Sequence, residues 1–371
     1  LHGKTKPRRL LRLTMVSILS AATVLSSLRG RTAKTQGYRR PHPPFQIGIP
    51  AAALAGAVAL GATALTACSG ASAAGVGKGG KLDVMSSFYP MQFLAEQIGK
   101  DHVKAATLTK PGVEPHDLEI TPKQTGQLGE SDVVLYLKGL QPAVDKAVAQ
   151  SGVKHVVDAA TLTKLEVHGS SGHDHAHEGE EGHSEGEAEG HDHGHGEAGE
   201  DPHIWLDPVK YAEVAKGVGA ALERADPDHA ADYRKNTDEL VGKLTALDAE
   251  FKDGLKNTAS KTFITTHSAF GYLAERYGLD QEGISGVDPE SEPSPARMKE
   301  LQAVAQKDNV STVFFETLAS DKTARTLAAD TGLKTDVLDP LEGITDKSQG
   351  ADYFEVMRSN LKNLQKALGS K

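Results

Sequence analysis

The sequence contains only one cysteine, Cys68, among 371 residues. A single thiol excludes any intramolecular disulfide. The sequence also lacks a His-Glu-x-x-His zinc motif and a GxxxxGK[ST] phosphate loop, and no predicted strand–turn–helix unit carries a Gly-x-Ser-x-Gly nucleophile elbow. These absences argue against the common zinc hydrolases, nucleotide-binding enzymes and serine hydrolases.

Acidic residues are missing from one end of the chain. Residues 1–67 contain no Asp or Glu but ten Lys and Arg. Removing these ten positive charges from the net charge of −9 leaves about −19 for residues 68–371. An acidic body does not suit nucleic acid, whose phosphates need a positive surface, so we expect no nucleic-acid partner. It suits a cationic ligand.

Residues 39–67 have the layout of a secretory signal, with Arg39 and Arg40 ahead of a run of small and apolar residues. The run resembles the signal of bacterial lipoproteins, which implies that Cys68 receives a lipid and becomes the mature N-terminus. The alternative is an unreactive cysteine after a short membrane anchor. No other segment of the sequence is apolar enough to cross a bilayer.

The segments beside this signal are interpreted separately. Residues 1–38 contain a second, shorter export-like pattern, which suggests a translation start assigned too far upstream. Residues 68–80 consist mainly of glycine, alanine and serine, and this composition predicts a flexible tether.

From residue 81 onward, strand patterns alternate with helical ones, which predicts parallel sheets covered on both faces. One alternating region spans residues 81–225 and another spans 258–371. Between them, residues 226–257 carry apolar side chains in a helical rhythm. Thirty helical residues extend for about 45 Å, enough to cross a domain. We therefore predict an α/β protein of two lobes, each a mostly parallel sheet flanked by helices, joined by one long rigid linking helix.

An insertion over residues 168–200 interrupts the first lobe. Residues 170–200 hold seven histidines and ten acidic residues, with no Lys, Arg, aromatic or branched apolar side chain. Such a segment cannot fill a core and is predicted to be disordered. Its imidazoles are candidates for weak zinc or copper binding, and the alternative is a solvated acidic linker. These candidates are His173, His175, His177, His183, His191, His193 and His195.

Three further histidines lie where the strand and helix patterns do not require them. His116 follows a predicted strand, His203 precedes a predicted helix, and His267 ends a predicted strand, as Asp339 does. Ligands of parallel α/β sheets bind beyond the carboxyl ends of strands. Each histidine alone is more often an ordinary hydrogen-bonded residue than a ligand. Together with a carboxylate they match a zinc shell, which is usually tetrahedral.

Three motifs strengthen this interpretation: Glu-Pro-His-Asp at 114–117, Asp-Pro-His-Ile-Trp-Leu-Asp-Pro at 201–208, and Thr-His-Ser-Ala-Phe-Gly-Tyr at 266–272. Through them the chain from about residue 81 resembles the zinc- and manganese-binding lipoproteins of bacterial ABC importers, and among these the ZnuA-like zinc receptors. The resemblance implies a metal site in the cleft between the lobes. It also implies an extracytoplasmic receptor that captures zinc tightly and delivers it to an ABC permease. We expect a monomer, anchored by its lipid to the outer face of the cell membrane.

The same resemblance assigns one tight zinc ion to His116, His203 and His267. For the fourth ligand, the resemblance offers an Asp at the place of Asp339, a water, or a Glu beside the first histidine. Because this chain has Pro115 beside His116, and proline cannot ligate, Asp339 is favoured over water. Glu316 is expected to hydrogen-bond a ligand rather than bind the metal. Manganese-selective relatives tend to have Glu at the place of His267, so zinc is favoured over manganese.

Two other functions stay open on the sequence alone. A zinc site with one open coordination position could activate water, as in a zinc hydrolase. A surface-anchored, metal-dependent adhesin is the other alternative. We do not expect an enzyme.

Overall fold

A computed structural model describes residues 80–168 and 199–370. In these residues the chain forms two four-stranded parallel sheets flanked by helices, which confirms the predicted fold class. Cys68, the predicted signal and nearly all of the predicted tether and insertion lie outside the described residues. None of the described helices has both the length and the apolar character needed to span a membrane.

The first lobe is built around one parallel sheet. Its strands are β1 (Leu82–Ser86), β2 (Val103–Thr107), β3 (Val133–Tyr136) and β4 (His155–Asp158). Its helices are α1 (Tyr89–Gly99), α2 (Pro122–Gly129), α3 (Pro142–Ser151) and α4 (Pro208–Ala225). The strand order is β2-β1-β3-β4, with Val84 paired to Val133 in the centre.

A long helix, α5 (Ala230–Leu255), follows α4 and leads to the second lobe. It buries one side along its length, with Leu240, Leu244 and Phe251 in a single core that includes residues of both lobes. Apolar side chains at this spacing lie on one face of a helix, so α5 packs against the domain throughout.

The second lobe repeats the arrangement of the first. Its strands are β5 (Thr262–Thr265), β6 (Asp280–Gly283), β7 (Thr312–Phe315) and β8 (Lys334–Val337). Its helices are α6 (Gly271–Tyr277), α7 (Pro295–Lys307), α8 (Lys322–Thr331) and α9 (Tyr353–Leu368). The order β6-β5-β7-β8 has the same form as in the first lobe, because the second strand again lies outside the first.

Hydrogen bonds between the lobes fix the edges of the cleft. The indole Nε1 of Trp205 donates to the carbonyl of Pro340 at 2.7 Å, and the hydroxyl of Tyr353 donates to the carbonyl of Trp205 at 2.7 Å. Arg276 on α6 pairs with Asp207, with Nε 2.9 Å from Oδ2. Because Trp205 and Tyr353 are fully buried, their two hydrogen bonds are shielded from water and help to hold the lobes in one arrangement.

Candidate metal centre

Three imidazoles and one carboxylate meet between the lobes. The residues are His116, His203, His267 and Glu342, and one ligand atom from each lies within 4.8 Å of the others. His116 belongs to the loop after β2 and His203 to the turn before α4, whereas His267 follows β5 and Glu342 follows β8. Each lobe therefore contributes two donors.

The spacing of these atoms matches a tetrahedral zinc shell. Oε1 of Glu342 lies 3.3 Å, 3.2 Å and 3.5 Å from Nε2 of His116, His203 and His267, respectively. The two Nε2 atoms of His203 and His267 are 3.4 Å apart. A tetrahedron with metal–ligand distances of about 2.0–2.1 Å has edges of about 3.3–3.4 Å. Four of the edges thus have the length that zinc requires.

The start of α4 sets the position of His203. The carboxylate of Asp207 accepts the N–H of Val209, and Pro208 occupies the first turn of the helix. Ahead of this cap, Asp201 accepts from the backbone N–H of His203 at 2.9 Å and lies 2.7 Å from its Nδ1. Since a carboxylate accepts, Nδ1 carries a proton, and the neutral, metal-binding form of the ring therefore directs its Nε2 lone pair at the cluster.

His267 is held in a similar way by the residue predicted to support a ligand. Oε1 of Glu316, directly after β7, lies 2.6 Å from Nδ1 of His267. The same oxygen accepts from the hydroxyl of Thr266. In its neutral, metal-binding form, His267 therefore also directs its Nε2 lone pair at Glu342. The converging lone pairs and the carboxylate of Glu342 would repel one another, so either protons or a metal ion must lie between them.

The loop after β8 brings in a carboxylate that sequence reasoning missed. Leu341 has a positive φ of 59° and is fully buried, and this turn directs Glu342 into the cluster. Asp339, the predicted fourth ligand, is not among the four clustered side chains. Its Oδ1 accepts the N–H of Leu341 at 2.8 Å, and its Oδ2 accepts from Thr317 at 3.1 Å. Asp339 thus stabilises the loop on which Glu342 lies.

The electrostatics of the cluster indicate that it attracts positive charge. Burial alone would lower the pKa of His203 and His267, but their carboxylate partners outweigh it, raising the pKa of His203 and holding that of His267 well above its usual value. Burial would raise the pKa of Glu342, yet the three imidazoles hold it well below its ordinary value. In addition, Oε2 of Glu342 is buried and has no hydrogen-bond partner among the described residues. A divalent cation would satisfy this oxygen.

Two more carboxyl groups lie close to the cluster without joining it. Burial and the nearby Glu342 raise the pKa of Glu114 to about 9, and its Oε1 accepts from the N–H of His116 at 3.1 Å. Burial also raises the pKa of Asp339 to about 6. Glu114 therefore favours its neutral form more than an ordinary glutamate does, whereas the three imidazoles favour the charged form of Glu342.

Comparisons with known proteins agree with this chemistry. The family model of ZnuA, the periplasmic component A of the zinc-uptake complex, matches residues 84–367. The high-affinity zinc uptake system protein ZnuA of Bacillus subtilis is 40% identical over 297 residues, which cover 78% of this chain and 89% of that protein.

Solved structures of metal-binding proteins are also similar to this chain. The metal-dependent lipoprotein YcdH of Bacillus subtilis is 35% identical, with a TM-score of 0.62 over 78% of this chain and 99% of that one. Zn(II)-bound AdcA of Streptococcus pneumoniae is 31% identical, with a TM-score of 0.63 over 79% of this chain and 59% of that one. The residues that the family model matches include all four clustered donors.

Proposed function

The chain belongs to the family of periplasmic A components of zinc-uptake complexes, and from this premise we propose that it is an extracytoplasmic receptor that binds Zn²⁺ and delivers it to an ABC-type permease. The observation that carries the proposal is the spacing of 3.2–3.5 Å among the donor atoms of His203, His267 and Glu342. Zinc is the cargo of this site.

The proposed ligands are His116, His203, His267 and Glu342. Glu342 takes the place expected for Asp339, whose two oxygens already accept hydrogen bonds within the protein. Three nitrogen donors and one oxygen donor favour zinc over manganese, because manganese prefers a larger number of oxygen ligands. Glu316 and Asp201 orient two of the imidazoles through their Nδ1 atoms.

Binding at this site ties the lobes together. His116 and His203 come from the first lobe and His267 and Glu342 from the second, so the metal completes a bridge across the cleft. We propose that the permease recognises the lobes in the arrangement that this bridge fixes. The rigid contacts of Trp205 with the second lobe argue for local loop movement rather than wide closure.

The number of protein ligands also distinguishes a zinc receptor from a zinc hydrolase. A catalytic zinc ion typically has three protein ligands and an open position for water, whereas four protein ligands close the shell. The four donors here supply a complete tetrahedral shell, which supports a binding function rather than catalysis.

Two parts of the proposal concern residues outside the described ranges. We propose that Cys68 anchors the protein to the outer face of the membrane, as its place after the signal suggests. We also propose that histidines 173–195 collect zinc weakly and are not needed for the tight site, since the four clustered donors lie elsewhere in the sequence.

A matched pair of variants tests the tight site. In zinc titrations of the full chain, Glu342→Gln should weaken the tight equivalent by more than about a hundredfold, because removing a ligand should cost more than the 10–100-fold typical of a supporting residue. Asp339→Asn changes the same charge three residues away and should weaken it far less. Competition with manganese should leave zinc bound in the unmodified protein.

The opposite ranking of the two variants would transfer the fourth position to Asp339. Tight binding of manganese instead of zinc, or retention of full affinity in both variants, would contradict the proposed site.

A further inference from the structure

A second group of metal-binding side chains lies at the base of the insertion. It consists of Glu166 and His168, which follow β4, and Glu275 on α6. One ligand atom from each lies within 4.8 Å of the others. Their side chains are 28%, 18% and 60% exposed, so this cluster faces solvent, unlike the buried cluster between the lobes.

The imidazole of His168 is held in a fixed orientation. Its Nδ1 lies 2.9 Å from Oδ2 of Asp201, and its Nε2 lies 3.1 Å from Oε2 of Glu275. The ring of Tyr272 meets it edge-on at 4.4 Å between centroids. Gly271 makes this approach possible, since a Cβ added there would lie 2.4 Å from Cβ of His168.

The backbone beneath the cluster is also fixed. The N–H of Asp201 donates to the carbonyl of Glu166 at 2.8 Å. The hydroxyl of Tyr272 accepts from the N–H of Glu166 at 2.8 Å and donates to the carbonyl of Asp201 at 2.8 Å. The two chain segments that flank the insertion are therefore joined at this point, and the cluster lies on rigid structure.

The orientation of His168 implies a positive charge at Nε2. Because Asp201 accepts from Nδ1, a neutral imidazole would direct its Nε2 lone pair at the carboxylate of Glu275. Two acceptors at this distance require either a proton or a metal ion between them. The carboxylate–imidazole pair of Asp201 and His168 is the arrangement that commonly orients a metal-binding histidine.

We propose that Glu166, His168 and Glu275 form a second, weaker binding site for a divalent cation of the zinc type, distinct from the tight site between the lobes. One nitrogen and two oxygens leave coordination positions for water, and Lys210 Nζ, 3.3 Å from Oε1 of Glu166, competes for that carboxylate. Both features make the site weaker than the buried one. A groove of about 690 Å³, lined in part by His168 and Glu275, gives the ion access from solvent.

Glu275→Gln is the cleanest variant for a test, because Glu275 does not contact Asp201 or any of the four donors of the tight site. Zinc titrations of the full chain would compare the unmodified protein, Glu275→Gln, and Glu130→Gln as a control at an exposed glutamate outside both clusters. The insertion contributes the same background to all three proteins. We expect Glu275→Gln to lose one weak equivalent, or to bind it at least tenfold more weakly, with the tight equivalent unchanged.

Zinc-edge anomalous diffraction from crystals of the zinc-loaded full chain locates the ion directly. Density between Glu166, His168 and Glu275, in addition to that between the lobes, would support the proposal. Density between the lobes alone, or an identical isotherm for Glu275→Gln and the control, would overturn it and assign the positive charge to a proton on His168. If the tight equivalent were missing and the weak one present, the proposed function would fail while this site stood.

Discussion

The two clusters use the same chemical groups in opposite surroundings. Between the lobes, three imidazoles share one carboxylate, and the side chains of His203, His267 and Glu342 have no exposed surface. At the base of the insertion, one imidazole faces two carboxylates, and Glu275 is 60% exposed. Burial makes every unsatisfied donor costly, so the inner cluster gains most from a cation. Water and Lys210 already satisfy part of the outer cluster, so it gains less.

Removing an imidazole from the inner cluster should give the largest effect. His267→Ala leaves Glu316 and Glu342 buried without their shared partner, and we expect zinc affinity to fall by more than about a hundredfold. Competition titration with a fluorescent zinc chelator measures the loss. His155→Ala, at a partly buried histidine outside both clusters, is the control. Equal affinities of the two variants would contradict the assignment of His267.

Asp201 contacts one histidine of each cluster, so its substitution should affect both. Its Oδ1 holds His203 and its Oδ2 holds His168, whereas Glu316 holds only His267. Asp201→Asn should weaken both zinc equivalents, the tight one by about 10–100-fold, and Glu316→Gln should weaken the tight one alone by a similar factor. Titrations that resolve both equivalents test this difference. An unchanged weak equivalent in Asp201→Asn would show that the outer site does not depend on this hydrogen bond.

The pH dependence of zinc binding should differ more modestly between the clusters. Because the pKa values of His203 and His267 are raised, zinc has to displace protons from both even above pH 6.5, so affinity should rise with pH through and beyond that value. The outer site has one such group, His168, whose pKa Asp201 and Glu275 raise against the effect of burial. The logarithm of affinity should therefore climb more steeply with pH for the tight equivalent. Equal slopes from titrations between pH 5.5 and 8.5 would contradict this.

Without metal, the stability of the folded protein should fall as pH rises, whereas zinc affinity should rise. A raised folded-state pKa of His203 and His267 stabilises the protein fully below the unfolded value of about 6.5, and this contribution disappears as pH rises through the folded value. Zinc should therefore raise the melting temperature more at pH 8 than at pH 6. Thermal melts with zinc and with a chelator at both values measure this change.

Much of the fold could be predicted from the sequence, because the spacing of apolar residues within a short segment indicates whether that segment forms a strand or a helix. The alternation of strand and helix patterns predicted the two parallel sheets, and the long helix predicted within residues 226–257 is α5 at Ala230–Leu255. Ahead of α6, which begins at Gly271, the N–H of Ser268 donates to the carbonyl of Gly286. That contact joins distant parts of the chain, and no local pattern indicates it.

The candidate site also has residues that the sequence pattern indicates and one residue that it does not. The three histidines stand at strand and helix ends, where the sequence pattern makes them visible, and the structure brings all three together. Glu342 could not be predicted, because its direction depends on the left-handed turn at Leu341, a conformation that costs a non-glycine residue about 1–2 kcal/mol. Burial of Leu341 in the shared core fixes that turn. Tertiary packing therefore places Glu342, rather than Asp339, beside the three histidines.

The exposure of the donors also determines how the cargo can leave. Of the four, only the His116 side chain reaches the surface, at 9% exposure, and it lines a surface groove of about 470 Å³. A departing ion must give up buried ligands one at a time, and His116 is the one whose place water can take first. We therefore expect the loop between β2 and α2 to set the residence time of zinc at the proposed site, and we expect a partner that displaces this loop to accelerate release without altering the other three proposed ligands.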